Sequence, residues 1–122
     1  MNKKLKCILI DLDGTVINSG PDLIDSLNFV LRNHNIKSVE REIIGPLVGG
    51  GAKAMIMRAY ENLKLTPPLN IDSLEKEFLE FYSENCSNRS FLYPNVFNTL
   101  KKLKSKFRIA LCTNKKQFIT EK

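Results

Sequence analysis

The stretch CILIDLDGTV, residues 7–16, passes directly from four apolar residues into two aspartates one residue apart. The apolar part is typical of a buried β-strand, and Asp11 and Asp13 follow at its carboxyl end. Two carboxylates so close together repel each other unless a positive charge lies between them. The stretch therefore predicts a strand that leads into a charged site.

A second apolar run, FRIALCTN at residues 107–114, also predicts a buried strand that ends in polar side chains. The connection between the two runs is far longer than the dozen or so residues of a plain crossover between parallel strands. In open α/β sheets, ligands lie outside the carboxyl ends of the strands. If the two strands are neighbours, we expect Asp11, Asp13, Thr113 and Asn114 to meet in one place.

The long connection contains several amphipathic helical patterns. The first is expected to begin after Ser19, which is a suitable N-cap, with Pro21 in its first turn. A further helix is expected over residues 95–106, after Pro94. The apolar positions that recur at helical spacing are Leu23, Leu27, Val30 and Leu31; Ala52, Met55, Ile56 and Ala59; and Leu74, Phe78, Phe81 and Tyr82.

These patterns predict an α/β protein, the N-terminal part of a Rossmann-like parallel-sheet core with an inserted α-helical cap. Residues 1–16 and 91–122 would form the partial core, in which two strands are present. Residues 17–90 would form the cap. Two strands alone are marginal in water, so we expect a missing C-terminal core segment or a complementing chain to complete the sheet.

The length of 122 residues and the 43% apolar content fit one small domain with a core. No apolar run is long enough to suggest a membrane span, and the run after the basic N-terminus is too short for a signal peptide. We therefore expect a cytoplasmic protein. The odd number of cysteines argues against a disulfide framework, and Cys7 and Cys112 are expected to be buried in strands.

The net charge of +6 is placed unevenly along the chain. Residues 1–100 carry 11 Lys and Arg against 12 Asp and Glu, whereas residues 101–122 carry eight against Glu121 alone. Either a basic face ends the sequence, or acidic residues that balance it lie elsewhere. A nucleic-acid partner is disfavoured, because Phe107 begins a buried strand and no aromatic stacking platform accompanies the basic residues.

The residues at the strand ends suit phosphoryl transfer. A carboxylate can attack a phosphoryl group and form an aspartyl-phosphate, provided that a cation such as Mg²⁺ neutralises the charge. A second carboxyl two residues along, as at Asp13, can donate and accept the protons of the two steps. Gly14 allows a turn that brings backbone N–H groups near a phosphate, and Thr113 and Asn114 offer further donors.

DLDGTV and LCTN resemble the first and second motifs of the haloacid dehalogenase-like hydrolases, and the helical insertion resembles the cap of that superfamily. Together with VGGGAKAMIMRA and FLYPNV, they are similar to the N-terminal part of the bacterial phosphoglycolate phosphatases. The resemblance implies that Asp11 is the nucleophile and a Mg²⁺ ligand, and that Asp13 is the general acid and base with its carbonyl on the metal. Thr113 and Asn114 would hold the phosphoryl group of 2-phosphoglycolate, a small phosphorylated metabolite.

The same resemblance implies two further motifs that these 122 residues lack: a lysine that screens the phosphoryl charge and an acidic pair that completes the Mg²⁺ site. We therefore expect a truncated chain that is inactive alone. The alternatives are a pyrophosphatase or another small-molecule phosphatase of this superfamily, and a non-catalytic remnant.

Overall fold

The computed structural model describes Lys4 and residues 6–122. Its strands are β1 (Cys7–Ile10), β2 (Ile17–Asn18), β3 (Phe91–Leu92) and β4 (Arg108–Leu111). Its helices are α1 (Gly20–Asn33), α2 (Ile44–Leu47), α3 (Ala52–Asn62), α4 (Ile71–Asn85), α5 (Val96–Lys104) and α6 (Gln117–Thr120), with a 3₁₀ turn at Arg41–Ile43 before α2. No helix in the described part of the chain is long and apolar enough to cross a membrane.

The chain divides into two compact units. The first comprises Met1–Asn18 and Phe91–Thr113, and the second comprises Ser19–Ser90 and Asn114–Lys122. The division of the sequence into a core and a cap at residues 17–90 stays a prediction. We describe each unit by itself.

In the first unit, β1 pairs with β4 in parallel, as the sequence predicts. The register aligns Cys7 with Arg108 and Ile10 with Leu111. A second ladder, which the sequence analysis did not anticipate, joins β2 to β3 in antiparallel fashion. Both of its strands have only two residues, too few for a period-2 pattern to be recognised.

The prediction that both strands and their cysteines are buried is wrong. Cys7 and Cys112 are both exposed, and Leu9 retains 69% of its accessible surface. The physical reason is the alternation of side chains between the two faces of a sheet. Helix α5 packs against β4. On one face Ile8, Ile10 and Ile109 are half-buried whereas Leu111 is exposed, and on the other face Leu9 and Ala110 are both exposed.

The second unit has a helical core, in which α4 packs against both α1 and α3. The helical stripes read from the sequence supply this core and are confirmed. Helix α6 adds Ile119, and Phe29 stacks on Phe81 with ring centroids 4.0 Å apart at the margin of the core. The most deeply buried apolar side chains are Ile24, Leu27, Val30, Leu31, Ile56, Leu74 and Phe78.

A buried carboxylate, Asp22, ties together the two ends of the segment Ser19–Ser90. It lies in the first turn of α1 and is only 2% exposed. Its oxygens accept hydrogen bonds from the backbone N–H of Arg89 (3.0 and 2.9 Å) and from the backbone N–H and hydroxyl of Ser90 (both 2.7 Å). Ser19 occupies the N-cap position as expected, but its side chain makes no capping hydrogen bond.

A second polar contact joins the end of α1 to α4 at the surface. The side chain of Glu77 accepts hydrogen bonds from Asn33 (2.5 Å) and from Nε2 of His34 (2.9 Å). Burial raises the pKa of the Glu77 carboxyl, but the hydrogen bonds from Asn33 and His34 outweigh it, so that this pKa lies below its usual value. The hydrogen bonds favour the ionised form, and the contact fixes the end of α1 against α4.

Candidate active site

The carboxyl ends of β1 and β4 lie at the same edge of the sheet. The backbone N–H of Cys112 donates to the carbonyl oxygen of Ile10 at 2.9 Å, one step beyond the last strand pair. Asp11 directly follows Ile10, and Thr113 directly follows Cys112. The parallel register therefore brings two of the predicted site residues, one from each strand, to one edge.

Asp13 lies in a tight turn that is held by backbone hydrogen bonds. The carbonyl oxygen of Leu12 accepts hydrogen bonds from the backbone N–H groups of Thr15, Val16 and Ile17, at 3.2, 2.9 and 3.2 Å. The side chains of Leu12 and Val16 are buried and anchor the turn. Asp13 itself is half-buried, whereas Asp11 is exposed.

The backbone of Gly14 turns with φ = +80°, a conformation that only glycine adopts without strain. Its N–H donates to the carbonyl oxygen of Ile17 at 2.9 Å, so this donor is already used within the turn. A direct contact between Gly14 and a phosphate therefore stays a prediction.

Gly14→Ala is expected to destabilise the protein by about 1–2 kcal/mol, because a Cβ is disfavoured at this positive φ. An added Cβ would meet no atom within 4 Å, so backbone strain alone produces the loss. Gly45→Ala is the matched control: Gly45 lies in α2, outside the positive-φ region, and also has open space around it. Urea unfolding of both variants measures the difference, and equal stabilities would contradict the strain.

Asn114, the fourth predicted residue of the site, is covalently next to Thr113 but belongs to the second compact unit. Its approach to the two aspartates stays a prediction. The antiparallel β2–β3 pair, which the sequence analysis missed, also holds the turn. The N–H of Tyr93, directly after β3, donates to the carbonyl oxygen of Val16 at 3.1 Å.

The compact unit that contains the two aspartates carries a net positive charge. The segments of the first unit contain eight Lys and Arg residues, and Asp11 and Asp13 are their only acidic residues. All the negative side-chain charge of this unit thus lies at the strand edge. A net positive charge on the unit favours the approach of an anionic substrate.

The donor set at this edge suits a hard cation. Within the described residues, no group of three or more His, Cys, Asp and Glu side chains lies close enough to hold a metal ion. Mg²⁺ is commonly bound through only one or two carboxylates, with substrate phosphate and water as the other ligands. Asp11 and Asp13 supply oxygen donors of this kind, so the residues present fit Mg²⁺.

Comparison with known proteins identifies the family. The family model described as haloacid dehalogenase-like hydrolase matches residues 8–122. The chain therefore belongs to the haloacid dehalogenase-like hydrolase family, and the prediction made from DLDGTV and LCTN is confirmed.

Two relatives illustrate the similarity within this family. The chain is 38% identical over 121 residues to the phosphoglycolate phosphatase of Haemophilus influenzae (strain 86-028NP), a match that covers 94% of this chain and 54% of the relative. It is 33% identical over 93 residues to the N-acetylmuramic acid 6-phosphate phosphatase of Pseudomonas aeruginosa, covering 76% of this chain and 40% of the relative.

Among solved structures, a predicted phosphoglycolate phosphatase of Haemophilus somnus 129PT superposes with a TM-score of 0.83 at 32% identity, covering 96% of this chain and 57% of that one. The mixed α/β fold predicted from the sequence is thus confirmed. The chain spans about half the length of the curated relatives it matches.

Proposed function

We propose that the assembly containing this chain is a Mg²⁺-dependent phosphatase that hydrolyses a small phosphate monoester, most specifically 2-phosphoglycolate to glycolate and phosphate. One observation carries the proposal: Asp11 and Thr113 follow two paired parallel strands and so lie at the same edge of the sheet. Asp13 lies in the turn that follows Asp11. The 38% identity to a phosphoglycolate phosphatase supports the substrate.

The reaction proceeds in two steps. A carboxylate oxygen of Asp11 attacks phosphorus and the bond from phosphorus to the glycolate oxygen breaks, while Asp13 donates a proton to that leaving oxygen. Asp13 then takes a proton from water, which attacks the aspartyl-phosphate and releases phosphate and the free Asp11 carboxylate. Thr113 and Asn114 hold the phosphoryl oxygens through their hydroxyl and amide groups.

When bound, Mg²⁺ would neutralise the charge between the carboxylates and the phosphoryl group, held by Asp11 and by the backbone carbonyl of Asp13. The proposal also includes the screening lysine and the acidic pair of the remaining motifs, on a segment beyond these 122 residues. The 122 residues alone are then inactive. A cytoplasmic location is part of the same proposal.

A second candidate substrate has a specific observation in its favour. The relative from Pseudomonas aeruginosa that matches 76% of this chain is an N-acetylmuramic acid 6-phosphate phosphatase. The chemistry of Asp11 and Asp13 is the same for any phosphate monoester, so the two substrates differ only in the part that is not transferred. Pyrophosphate is a further alternative substrate. The alternative that contradicts the proposal is a non-catalytic remnant.

The test is phosphate release by the native assembly, purified from its source cells through an affinity tag on this chain. We expect release from 2-phosphoglycolate that stops when EDTA removes Mg²⁺ and returns when Mg²⁺ is restored. Pyrophosphate and N-acetylmuramic acid 6-phosphate serve as matched substrates in the same assay. Faster phosphate release from either compound would make that compound the preferred substrate instead of 2-phosphoglycolate. No phosphate release from any phosphate monoester at high Mg²⁺ would overturn the enzyme function.

A further inference from the structure

The positive charge of the first compact unit is gathered at one edge of its sheet. The eight Lys and Arg residues of this unit lie in two stretches of the sequence, 3–6 and 101–108. The two acidic residues of the unit, Asp11 and Asp13, follow the carboxyl end of β1. We call the described cations the basic edge: Lys4, Lys6, Lys101, Lys102, Lys104, Lys106 and Arg108.

Backbone contacts bring the two basic stretches together at the amino ends of β1 and β4. The N–H of Arg108 donates to the carbonyl oxygen of Lys6 at 3.1 Å, so the two strands begin side by side. The N–H groups of Lys106 and Phe107 donate to the carbonyl oxygen of Leu103 at 3.0 and 2.8 Å, which closes the turn between α5 and β4. The end of α5 therefore lies next to the start of β4, and the two stretches form one edge.

The basic edge is separate from the candidate active site. The residues of β1 separate Lys6 from Asp11, by roughly 16 Å at about 3.3 Å per residue. Side chains stand nearly perpendicular to a sheet, so the Lys6 ammonium group cannot contact a phosphoryl group at Asp11. Binding of a small phosphorylated substrate therefore does not explain a cluster of cations at this edge.

The cations of the basic edge have no carboxylate partners within the described residues. All seven are exposed, and none forms an ion pair with a described residue. Lysines in the last turn of a helix stabilise its carbonyl end, which explains Lys101, Lys102 and Lys104. The cations outside α5 have no such role, and they repel one another and the helix lysines. An acidic partner would relieve this repulsion.

An exposed aromatic ring lies on the same surface. Phe97 of α5 retains 66% of its accessible surface. Lys101 and Lys104 lie four and seven residues further along the helix and therefore on the same side of it. Phe97 thus stands beside two lysines and apart from the packed face of the helix. The apolar residues of that face are half-buried: Val96, Leu100 and Leu103.

We propose that the basic edge and Phe97 form a docking surface for an acidic segment of another protein. Carboxylates of that segment would pair with the lysines, and an apolar side chain would cover the Phe97 ring. An aromatic anchor with a polar rim is typical of protein–protein interfaces. The surface is independent of the substrate at Asp11, so the inference goes beyond the proposed function and does not rest on it.

Other partners match this surface less well. Single-stranded nucleic acids stack on several aromatic rings, whereas Phe97 is the single exposed ring of α5. An anionic membrane binds a helix that turns a whole apolar face outward, but α5 packs against β4. A second copy of this chain offers either the same positive charge or a second unit with 11 basic and 11 acidic residues, so charge does not draw two copies together.

The first experiment measures binding of the tagged native assembly to two labelled acidic polypeptides. These are polyglutamate and a copolymer of glutamate and tyrosine with the same charge. We expect the copolymer to bind about tenfold more tightly, because a tyrosine ring can cover Phe97. Both Kd values should rise by about tenfold or more as salt increases from about 50 to 200 mM. Equal affinities, or affinities that do not depend on salt, would overturn the proposal.

Paired lysine substitutions test whether binding occurs at the basic edge. Lys101→Gln combined with Lys104→Gln should weaken binding of the copolymer by about fivefold to tenfold. The matched control, Lys37→Gln combined with Lys64→Gln, removes the same charge from exposed positions in the second unit. It should change the Kd by less than about twofold. Equal weakening by the two pairs would mean that net charge alone attracts the polypeptide, which contradicts a docking surface.

A substitution of the aromatic ring tests the apolar part of the surface. Phe97→Ser should abolish the difference in Kd between the copolymer and polyglutamate, because the lysines alone bind both. Leu69→Ser, at a fully exposed leucine in the second unit, is the matched control and should preserve the difference. A difference that persists in Phe97→Ser would show that the ring is not an anchor. Tighter binding to a single-stranded RNA, or to vesicles of equal parts phosphatidylglycerol and phosphatidylcholine, than to the copolymer would also overturn the proposal.

The second experiment identifies the partner in the source cells. Photoreactive p-benzoylphenylalanine replaces Phe97 and, in the matched control, Leu69. We expect light to join position 97, but not position 69, to a segment of another protein that is rich in Asp and Glu. A cross-link from position 97 to nucleic acid, to lipid, to a second copy of residues 1–122 or to the segment that supplies the missing catalytic motifs would overturn the proposal. The absence of any cross-link from position 97 would overturn it as well.

Discussion

Asp11→Asn is expected to lower the rate of phosphate release by the native assembly by about 10⁴-fold or more, as removal of a catalytic nucleophile does in other hydrolases. The neutral amide lacks the charge and the nucleophilic oxygen that attack on phosphorus requires. The substitution should leave folding intact, because the Asp11 side chain is exposed. A change in unfolding free energy within about 0.5 kcal/mol is expected.

The measurement is the turnover number for 2-phosphoglycolate, together with urea unfolding of the same preparation. Asp72→Asn is the matched control: it makes the same replacement at an exposed position in α4, and it should keep full activity. Normal turnover by Asp11→Asn would exclude Asp11 as the nucleophile. Loss of folding together with turnover would contradict the exposed position of the side chain.

The largest effect on stability is expected from Asp22→Asn. The Asp22 carboxylate accepts hydrogen bonds from three donors at Arg89 and Ser90, and hydrogen bonds to charged groups contribute about 1.5–3 kcal/mol each. An amide keeps only one acceptor oxygen and turns its own N–H₂ group toward donors. We expect a loss of about 3 kcal/mol, a large part of the roughly 5–15 kcal/mol that holds a domain folded.

Urea unfolding of the native assembly measures this loss, and Asp72→Asn again serves as the control. Asp72 also lies in the first turn of its helix, but it is exposed and pairs with Lys53 at 2.6 Å. Exposed ion pairs contribute only about 0–1 kcal/mol, so its replacement should have a small effect. Equal losses of unfolding free energy for Asp22→Asn and Asp72→Asn would show that Asp22 stabilises only the first turn of its helix.

Ser90→Ala separates the contributions at Asp22. It removes the hydroxyl donor and leaves the two backbone donors in place. The expected loss is about 1.5 kcal/mol, smaller than that of Asp22→Asn. A loss as large as that of Asp22→Asn would mean that the hydroxyl, rather than the backbone donors, dominates the contact.

Much of the local structure follows directly from the sequence. The helical stripes from Leu23 to Leu31 and from Leu74 to Tyr82 are read correctly, because an apolar spacing of three and four residues directs side chains to one face of a helix. The parallel order of β1 and β4 follows from the long helical connection between them. The aspartates after β1 point to chemistry because adjacent carboxylates at a strand end are unfavourable without a cation or a substrate.

Other features arise only from tertiary structure. The burial of Asp22 depends on Arg89 and Ser90, which are more than sixty residues away in sequence. In the sequence alone, Asp22 is indistinguishable from an ordinary first-turn acidic residue such as Asp72. The exposure of Cys7 could not be predicted either, because an apolar strand indicates which residues favour burial but not whether another element covers each face.

The sequence by itself thus determined the type of fold, the helices, and the two strand ends at which Asp11 and Thr113 lie. Only the tertiary structure decided the register that brings these ends to one edge, the buried role of Asp22 and the exposure of one sheet face. The physical reason is the range of the interactions involved. Periodicity and capping act between neighbouring residues, whereas strand pairing, burial of a carboxylate and coverage of a sheet depend on residues far apart in the chain.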